Sequence, residues 1–266
     1  MTRKIESKFA ELKSSSRKAL IPYLTCGFPS HGRFVDSAKL LEDCGADMIE
    51  IGIPHSDPMA DGPTIKRTSH QALSKGLTTD SAFSLIEKIA ARTSIPLIAM
   101  CYINTVMKPG VRKFASRCNA AGISGIIVPD LTFEERQRLL ERFAKSEIDV
   151  IFLTAPTTPA NRVKEIAAAS SGYLYLVSVT GITGARKSLP GSTEAFIRKA
   201  KAVSPIPVCV GFGISNETTA RRMGRLADGI IVGSALLNRI ENASCSREAR
   251  GGISSLMKEL RKGLDR

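Results

Sequence analysis

Short apolar runs recur along the chain, each followed by a stretch whose apolar positions fall three and four residues apart. The runs are Ala19–Thr25, Asp47–Gly52, Pro96–Tyr102, Gly125–Pro129, Val150–Thr154, Tyr173–Val179, Val208–Gly211 and Gly229–Val232. They are rich in isoleucine, valine and leucine without strict alternation, as in parallel strands covered on both faces. The stretches between them predict helices over Phe34–Cys44, Thr79–Arg92, Val111–Ala121, Phe133–Lys145, Ala160–Ala169, Thr193–Val203, Glu217–Gly224 and Ser246–Lys262. Thr78 or Thr79, Thr132 and Asn216 stand at N-cap positions, and Glu135 completes a capping-box pattern with Thr132. Pro159 opens one helix and Gly122 closes another. The first residues, Met1–Phe9, have the pattern of an amphipathic helix.

Eight strand–helix units in 266 residues predict one TIM (β/α)8 barrel domain spanning 1–266, with an extra N-terminal helix. An open, doubly wound sheet is the competing arrangement. Its first strand–helix turn would carry a G-x-G-x-x-G signature, and Cys26-Gly-Phe-Pro-Ser30 does not. No linker or change of composition marks a second domain.

Composition narrows the class. Hydrophobic residues make up 43% of the chain and charged residues 24%, which supports a packed core and argues against disorder. No apolar run reaches the ~18 residues of a membrane span, and the N-terminus lacks the apolar core of a signal peptide. A cytoplasmic protein is expected. The net charge of +13 raises the question of nucleic acid. The basic residues are dispersed, however, and aromatic content is 5% with no tryptophan, so base-stacking surfaces are scarce. Neither nucleic acid nor membrane is expected as a partner, and the basic surface is read as solvated, with some attraction for an anionic substrate. The six cysteines form no C-x-x-C pair and the three histidines are scattered, so no metal site is expected. Cys26, Cys101 and Cys209 lie on or beside strand runs and read as buried, reduced thiols.

In a TIM barrel the active site lies at the C-terminal ends of the strands. The second strand ends at Glu50 and runs into a turn-rich loop with Asp57 and Asp61. A carboxylate on a rigid strand and another on a mobile loop suit acid–base chemistry on a small molecule. Burial on an apolar strand would raise the pKa of Glu50 toward the range useful for proton transfer. The competing reading is a structural carboxylate bonded to nearby groups. Asp57, before Pro58, reads as a turn residue; Asp130, at the exit of the fourth strand, reads either as a support for the Asp57–Asp61 loop or as a simple helix-preceding acid. His55 in the same loop is a weaker candidate base, and His31 and His70 read as surface residues.

Glycines after strands seven and eight, Gly211, Gly213 and Gly233, allow close approach of the backbone to a ligand, and Gly233-Ser234 opens a short helix whose amides and dipole favour an anion. Together they predict a phosphate site at a position where this fold recurrently has one. The glycine-rich Thr180–Gly184 segment is placed to close over it.

Several segments, in order and at matching spacing, resemble the tryptophan synthase alpha subunits over nearly the whole chain. They are Ile21–Gly27, Glu50–Ile65, Met100–Asn104, Val128–Leu131, Leu153–Thr158, Val177–Arg186, Gly211–Ser215 and Gly233–Ala235. The resemblance implies a lyase that splits indole-3-glycerol phosphate into indole and glyceraldehyde 3-phosphate. It implies Glu50 as the acid–base carboxylate and Asp61 as the carboxylate that bonds the indole N–H. It further implies that Gly184, Gly213, Gly233 and Ser234 contact phosphate and that Thr183 bonds Asp61 from the lid. Tyr23, Leu24, Ile65, Tyr102, Tyr175 and Phe212 complete the expected pocket. No cofactor is expected in this chain: pyridoxal phosphate would belong to a beta subunit in an alpha2–beta2 complex. The Asp57–Asp61 loop and the region Asn104–Gly110 would face that partner. His55 and Lys66 depart from the family's usual phenylalanine and glutamine, and the basic charge is unlike the family. The alternatives are a non-catalytic activator of the beta partner, a free-standing lyase, and another phosphate-binding barrel such as a sugar-phosphate isomerase.

Overall fold

The computed structural model describes residues 3–136, 139, 143, 146–177 and 191–265. Among these, the strands are β1 Ala19–Thr25, β2 Ile49–Gly52, β3 Leu97–Met100, β4 Ile123–Ile127, β5 Asp149–Ile151, β6 Leu153–Thr154, β7 Leu174–Leu176, β8 Val208–Val210 and β9 Gly229–Val232. All pairings are parallel, in the order β5-β4-β3-β2-β1-β9-β8-β7-β6. The two ends of that order, β5 and β6, are consecutive in the chain with only Phe152 between them. The sheet therefore closes on itself. With β5 and β6 taken as one interrupted strand, it is the eight-stranded TIM barrel that the pattern predicts.

The helices among the described residues are α1 Lys4–Ser14, α2 His31–Asp43, α3 Pro63–Ser74, α4 Thr79–Ala90, α5 Ile103–Met107, α6 Val111–Ala120, α7 Ala160–Ala169, α8 Gly191–Val203, α9 Glu217–Gly224, α10 Ser234–Glu241 and α11 Ser246–Leu264. Thr78 caps α4 and Asn216 caps α9, each in a reciprocal capping box, with Ser81 and Thr219 respectively. Gly122, with φ +75°, follows α6 in the left-handed conformation that favours glycine.

Most strands feed two cores. On β1, Leu20 and Leu24 pack outward against the helices, whereas Ala19 and Ile21 point into the barrel. The interior cluster also holds Ile98, Ile127, Ile151, Cys209 and Ile231. Below it, α1 closes the N-terminal end of the barrel and contributes Ile5, Phe9 and Leu12. Gly125 and Gly172 make room for Ile5, because a Cβ at either would lie 2.7 and 3.1 Å from its side chain. At the same end, Arg261 of α11 donates to the carbonyls of Lys18 and Gly45 and pairs with the buried carboxylate of Asp47.

Several boundaries differ from the sequence expectation by a few residues, and α3 and α5 were not expected. The buried face of α3 carries Thr64, Thr68 and Ser69 beside Ile65 and Ala72, so it lacks an apolar stripe. Two of its hydroxyls are satisfied in place: Thr64 donates to Asn238 Oδ1 at 3.3 Å, and Thr68 bonds Thr25 at 2.7 Å. The helix expected over Phe133–Lys145 falls largely outside the described residues; what is described there begins as a 3-10 turn, Glu134–Arg136. The capping box expected at Thr132 is replaced by a different pairing. Its hydroxyl donates to the Glu135 carboxylate at 2.8 Å, and the Glu135 amide donates to the Thr132 carbonyl at 3.2 Å.

Candidate active site

Alternation along β2 decides where Glu50 points. Ile49 and Ile51 pack toward the helices, so Glu50 and Gly52 face the barrel interior. The Glu50 side chain is fully buried. Its Oε1 accepts a 2.5 Å hydrogen bond from the Tyr173 hydroxyl, and its Oε2 is buried with no partner among the described residues. Removal from water pushes the carboxyl up to about 8, against the opposing pull of the Tyr173 hydrogen bond. At neutral pH the group is held as a carboxylic acid, a proton donor enclosed in apolar walls.

Asp61 sits after two tight turns of the loop that follows β2, in which the Met59 amide donates to the Asp57 carbonyl and the Asp61 amide to the Pro58 carbonyl. Burial pushes its carboxyl up to about 6, while the hydroxyl of Tyr102 and the charge of Lys66 pull it down. Tyr102 fixes this loop twice: its oxygen accepts the Ala60 amide at 3.0 Å, and its hydroxyl bonds Asp61. His55 stacks on the Tyr102 ring, 5.1 Å between centroids and 20° between planes, which gives it a packing role against the same tyrosine. Asp130 acts one step further back than expected. It accepts the Ile103 amide at 2.9 Å, anchoring the turn that carries Tyr102 and not the Asp57–Asp61 loop itself.

Above these groups, at the C-terminal ends of the strands, lies a cavity of about 410 Å³. Tyr23, Ile65, Met100, Leu153, Tyr175 and Ile231 give it apolar and aromatic walls, and Asp61 enters one side. Gly233 and Ser234, where α10 begins, line another part, so the amides and dipole of that helix end favour an anion there. A flat apolar body with an anionic end fits this division.

The expected site residues fall into groups. Tyr23, Asp61, Ile65, Tyr175, Gly233 and Ser234 line the cavity. Glu50 and Tyr102 stand behind its wall, one beside Tyr173 and the other beside Asp61. Leu24 and Phe212 are buried in the core between sheet and helices and do not line the cavity, and Gly213 takes a left-handed turn after β8, with φ +70°. Thr183 and Gly184 lie outside the described residues. Tyr173, which holds Glu50, was missed as a site residue. The alternation Tyr173-Leu-Tyr-Leu176 carries the signal, since it turns both tyrosines to the same face of β7. Met100, Pro129, Leu153, Thr154, Ala155 and Thr158 in the cavity wall were also missed; on sequence they are ordinary strand and turn residues.

Two glycines have a meaning that differs from close approach to a ligand. The ring of Tyr23 on β1 lies over Gly52 of β2, where a Cβ would come 1.8 Å from its hydroxyl. The ring of Tyr175 on β7 lies over Gly211, where a Cβ would come 2.1 Å from it. Each glycine thus lets a neighbouring strand's tyrosine fold flat across it and form the cavity wall.

The family model described as "Tryptophan synthase alpha chain" matches residues 9–263. A tryptophan synthase alpha chain of Alkaliphilus metalliredigens is 40% identical over 260 residues, which cover 98% of this chain and 97% of that protein. Among solved structures, tryptophan synthase subunit alpha from Legionella pneumophila superposes with a TM-score of 0.92 at 33% identity, covering 100% of this chain and 99% of that one. A chain of Mycobacterium tuberculosis tryptophan synthase superposes with a TM-score of 0.91 at 35% identity, covering 99% of both chains.

Proposed function

Because the chain belongs to the tryptophan synthase alpha chain family, we propose that Glu50 and Asp61 divide the acid–base and charge-stabilising work of its lyase reaction. That reaction cleaves a carbon–carbon bond, taking indole-3-glycerol phosphate to indole and glyceraldehyde 3-phosphate in tryptophan biosynthesis. The bond to the ring cannot break while ring carbon C3 has no place to put the electrons. Protonation of C3 by the neutral carboxyl of Glu50 makes the ring an electron sink. The positive charge that develops reaches the ring N–H, where the Asp61 carboxylate accepts a hydrogen bond and stabilises it. Glu50, now ionised, takes the proton of the glycerol hydroxyl. The carbon–carbon electrons return to the ring, a carbonyl forms, and indole leaves.

The observation that carries this reading is the contrast between the two carboxyls. Glu50 is buried, neutral and close to a tyrosine; Asp61 is pushed up only to about 6 and remains largely ionised at neutral pH. Oε1 of Glu50 stays with the Tyr173 hydroxyl, and Oε2, which has no partner among the described residues, is the oxygen we assign to proton transfer. Phosphate is assigned to the Gly213, Gly233 and Ser234 backbone, with Tyr23, Ile65 and Tyr175 around the ring.

Kinship with the alpha chains supports a complex with a beta subunit. We assign the contact face to the loop that holds Met59 and to the end of α5 at Met107, the exposed large hydrophobic side chains of the described residues. An alpha2–beta2 assembly, a cytoplasmic location and one domain over residues 1–266 complete the reading. Among the described residues, no helix is long and apolar enough to cross a membrane. The test is turnover of indole-3-glycerol phosphate by the purified chain, with and without a cognate beta subunit. Weak turnover that rises strongly with partner supports the coupled lyase. Absence of turnover in both, with the beta reaction still stimulated, assigns the chain the role of activator.

A further inference from the structure

We infer that the N-terminal helix α1 is a positioning element for the catalytic carboxyl, acting through Phe9, which backs the Tyr173 ring that holds Glu50. The inference rests on the proposed role of Glu50. The rings of Phe9 and Tyr173 lie 6.0 Å apart, inclined by 60°, and both side chains are buried. Tyr173 is in turn 6.2 Å from the Tyr175 ring, which lines the cavity. Its hydroxyl ends at Glu50 Oε1, 2.5 Å away. A tyrosine hydroxyl at the end of a long lever moves when the base of the ring is free to tilt. Phe9 occupies the space into which the Tyr173 ring would tilt.

The helix that presents Phe9 is itself fixed on both sides. Ile5, fully buried, sits over Gly125 and Gly172, where no side chain competes for the space. Arg3, just before the helix, donates to the buried carboxylate of Asp149 at 3.1 Å. The same helix that closes the barrel at its N-terminal end therefore sets the hydrogen bond beneath a site at the opposite end. Closure of the barrel alone requires apolar volume from α1; the ring against Tyr173 adds direction.

Tyr173 donates to the carboxyl, which favours the ionised form of Glu50. Loosening the ring weakens that bond and moves the Glu50 titration to higher pH. The other groups facing Glu50 are Tyr23 from β1, Tyr175 from β7 and Cys209 from β8, all held neutral by burial well above the neutral range. The shift can therefore be read as that of Glu50.

The experiment compares Phe9→Leu and Phe9→Met, both of which keep apolar volume under the barrel, with Leu12→Ala on the same helix. The pH profile of indole-3-glycerol phosphate cleavage is recorded for each, alone and combined with Tyr173→Phe, and Glu50→Gln is assayed alongside. The expected result is a fall in kcat of about tenfold for the Phe9 variants, roughly what one lost positioning hydrogen bond is worth. The alkaline limb moves to higher pH and KM is little changed, while Leu12→Ala leaves the limb in place. In the Tyr173→Phe background the Phe9 substitutions change kcat by less than about twofold, because the lever is gone. An unmoved limb, or losses that multiply in the double variants, overturns the inference and leaves α1 a structural plug. Activity near wild type in Glu50→Gln would instead remove Glu50 from its role, a separate failure visible in a different variant.

Discussion

Across the barrel interior, Tyr173 of the strand β7 region donates its hydroxyl to Glu50 of β2, joining two side chains 123 positions apart in the chain at 2.5 Å. The bond holds a proton donor in a place where water would otherwise compete for it. It also ties the second and sixth units of the barrel, which carry no strand pairing with each other.

Glu50→Gln is expected to fold and to lose activity by about 10³-fold, the scale of one general acid–base group. Stability gives an independent readout. The folded-state carboxyl titrates near 8, above the ordinary value, so its stabilising contribution is complete below the ordinary carboxyl range and is lost as pH rises through 8. The glutamine variant has no such loss. Urea unfolding of both proteins at about pH 6 and about pH 9 should show the variant gaining on wild type at the higher pH. Equal slopes of stability against pH would contradict the buried acid.

Asp61 is expected to set the acid limb of activity near pH 6, where its carboxylate is protonated. Tyr102→Phe removes a hydrogen bond that favours the charged form, so the limb moves to higher pH. Asp61→Asn should abolish most turnover while inorganic phosphate still binds, as followed by phosphorus NMR. Loss of phosphate binding in that variant would make Asp61 a structural residue of the loop.

Gly211→Ala is expected to displace the Tyr175 ring, because the added Cβ would lie 2.1 Å from it. Overpacking of this kind costs about 1–3 kcal/mol, and the cavity loses its tyrosine wall. Turnover and melting temperature should fall together. Recovery of the melting temperature, without recovery of turnover, on adding Tyr175→Leu to the same chain would identify the clash as the cause of the lost stability.

Arg261→Ala leaves the Asp47 carboxylate, which also accepts the Leu20 amide at 2.8 Å, without its principal cation. Breaking such a nearly buried pair costs about 3 kcal/mol. Denaturant unfolding should show that loss with little change in the KM for the indole substrate, since the pair lies at the end of the barrel away from the cavity. An altered KM would mean that the two ends communicate more strongly than packing suggests.

The strands were legible because runs such as Ala19–Thr25 and Gly229–Val232 are buried on both faces and bounded by turn residues. The carboxylates at the strand exit were legible for the opposite reason: Glu50 interrupts an apolar run. Helix α3 was not, because a helix that buries threonine and serine has no hydrophobic stripe. Tyr173 was missed because its importance depends on a partner on another strand and on a helix from the chain's start. Gly52 and Gly211 look alike in sequence to any turn glycine; the tyrosines that need them lie on neighbouring strands.

The interruption of the fifth strand at Phe152 has a mechanical consequence. The Phe152 amide bonds the Ser170 hydroxyl at 3.0 Å while its carbonyl accepts Tyr175 N–H at 3.1 Å, so β4 pairs with the segment before it and β7 with the segment after. The barrel is thus two arcs that share β1 and meet at a seam one residue wide. The chain is continuous through Phe152, and closure there rests on a few hydrogen bonds from Val150 and Phe152 to the segment Ser170–Tyr175. Slight breathing there would enlarge the room beside Leu153 and Thr154, and backbone amides flanking Phe152 would exchange their hydrogens sooner than those of β1.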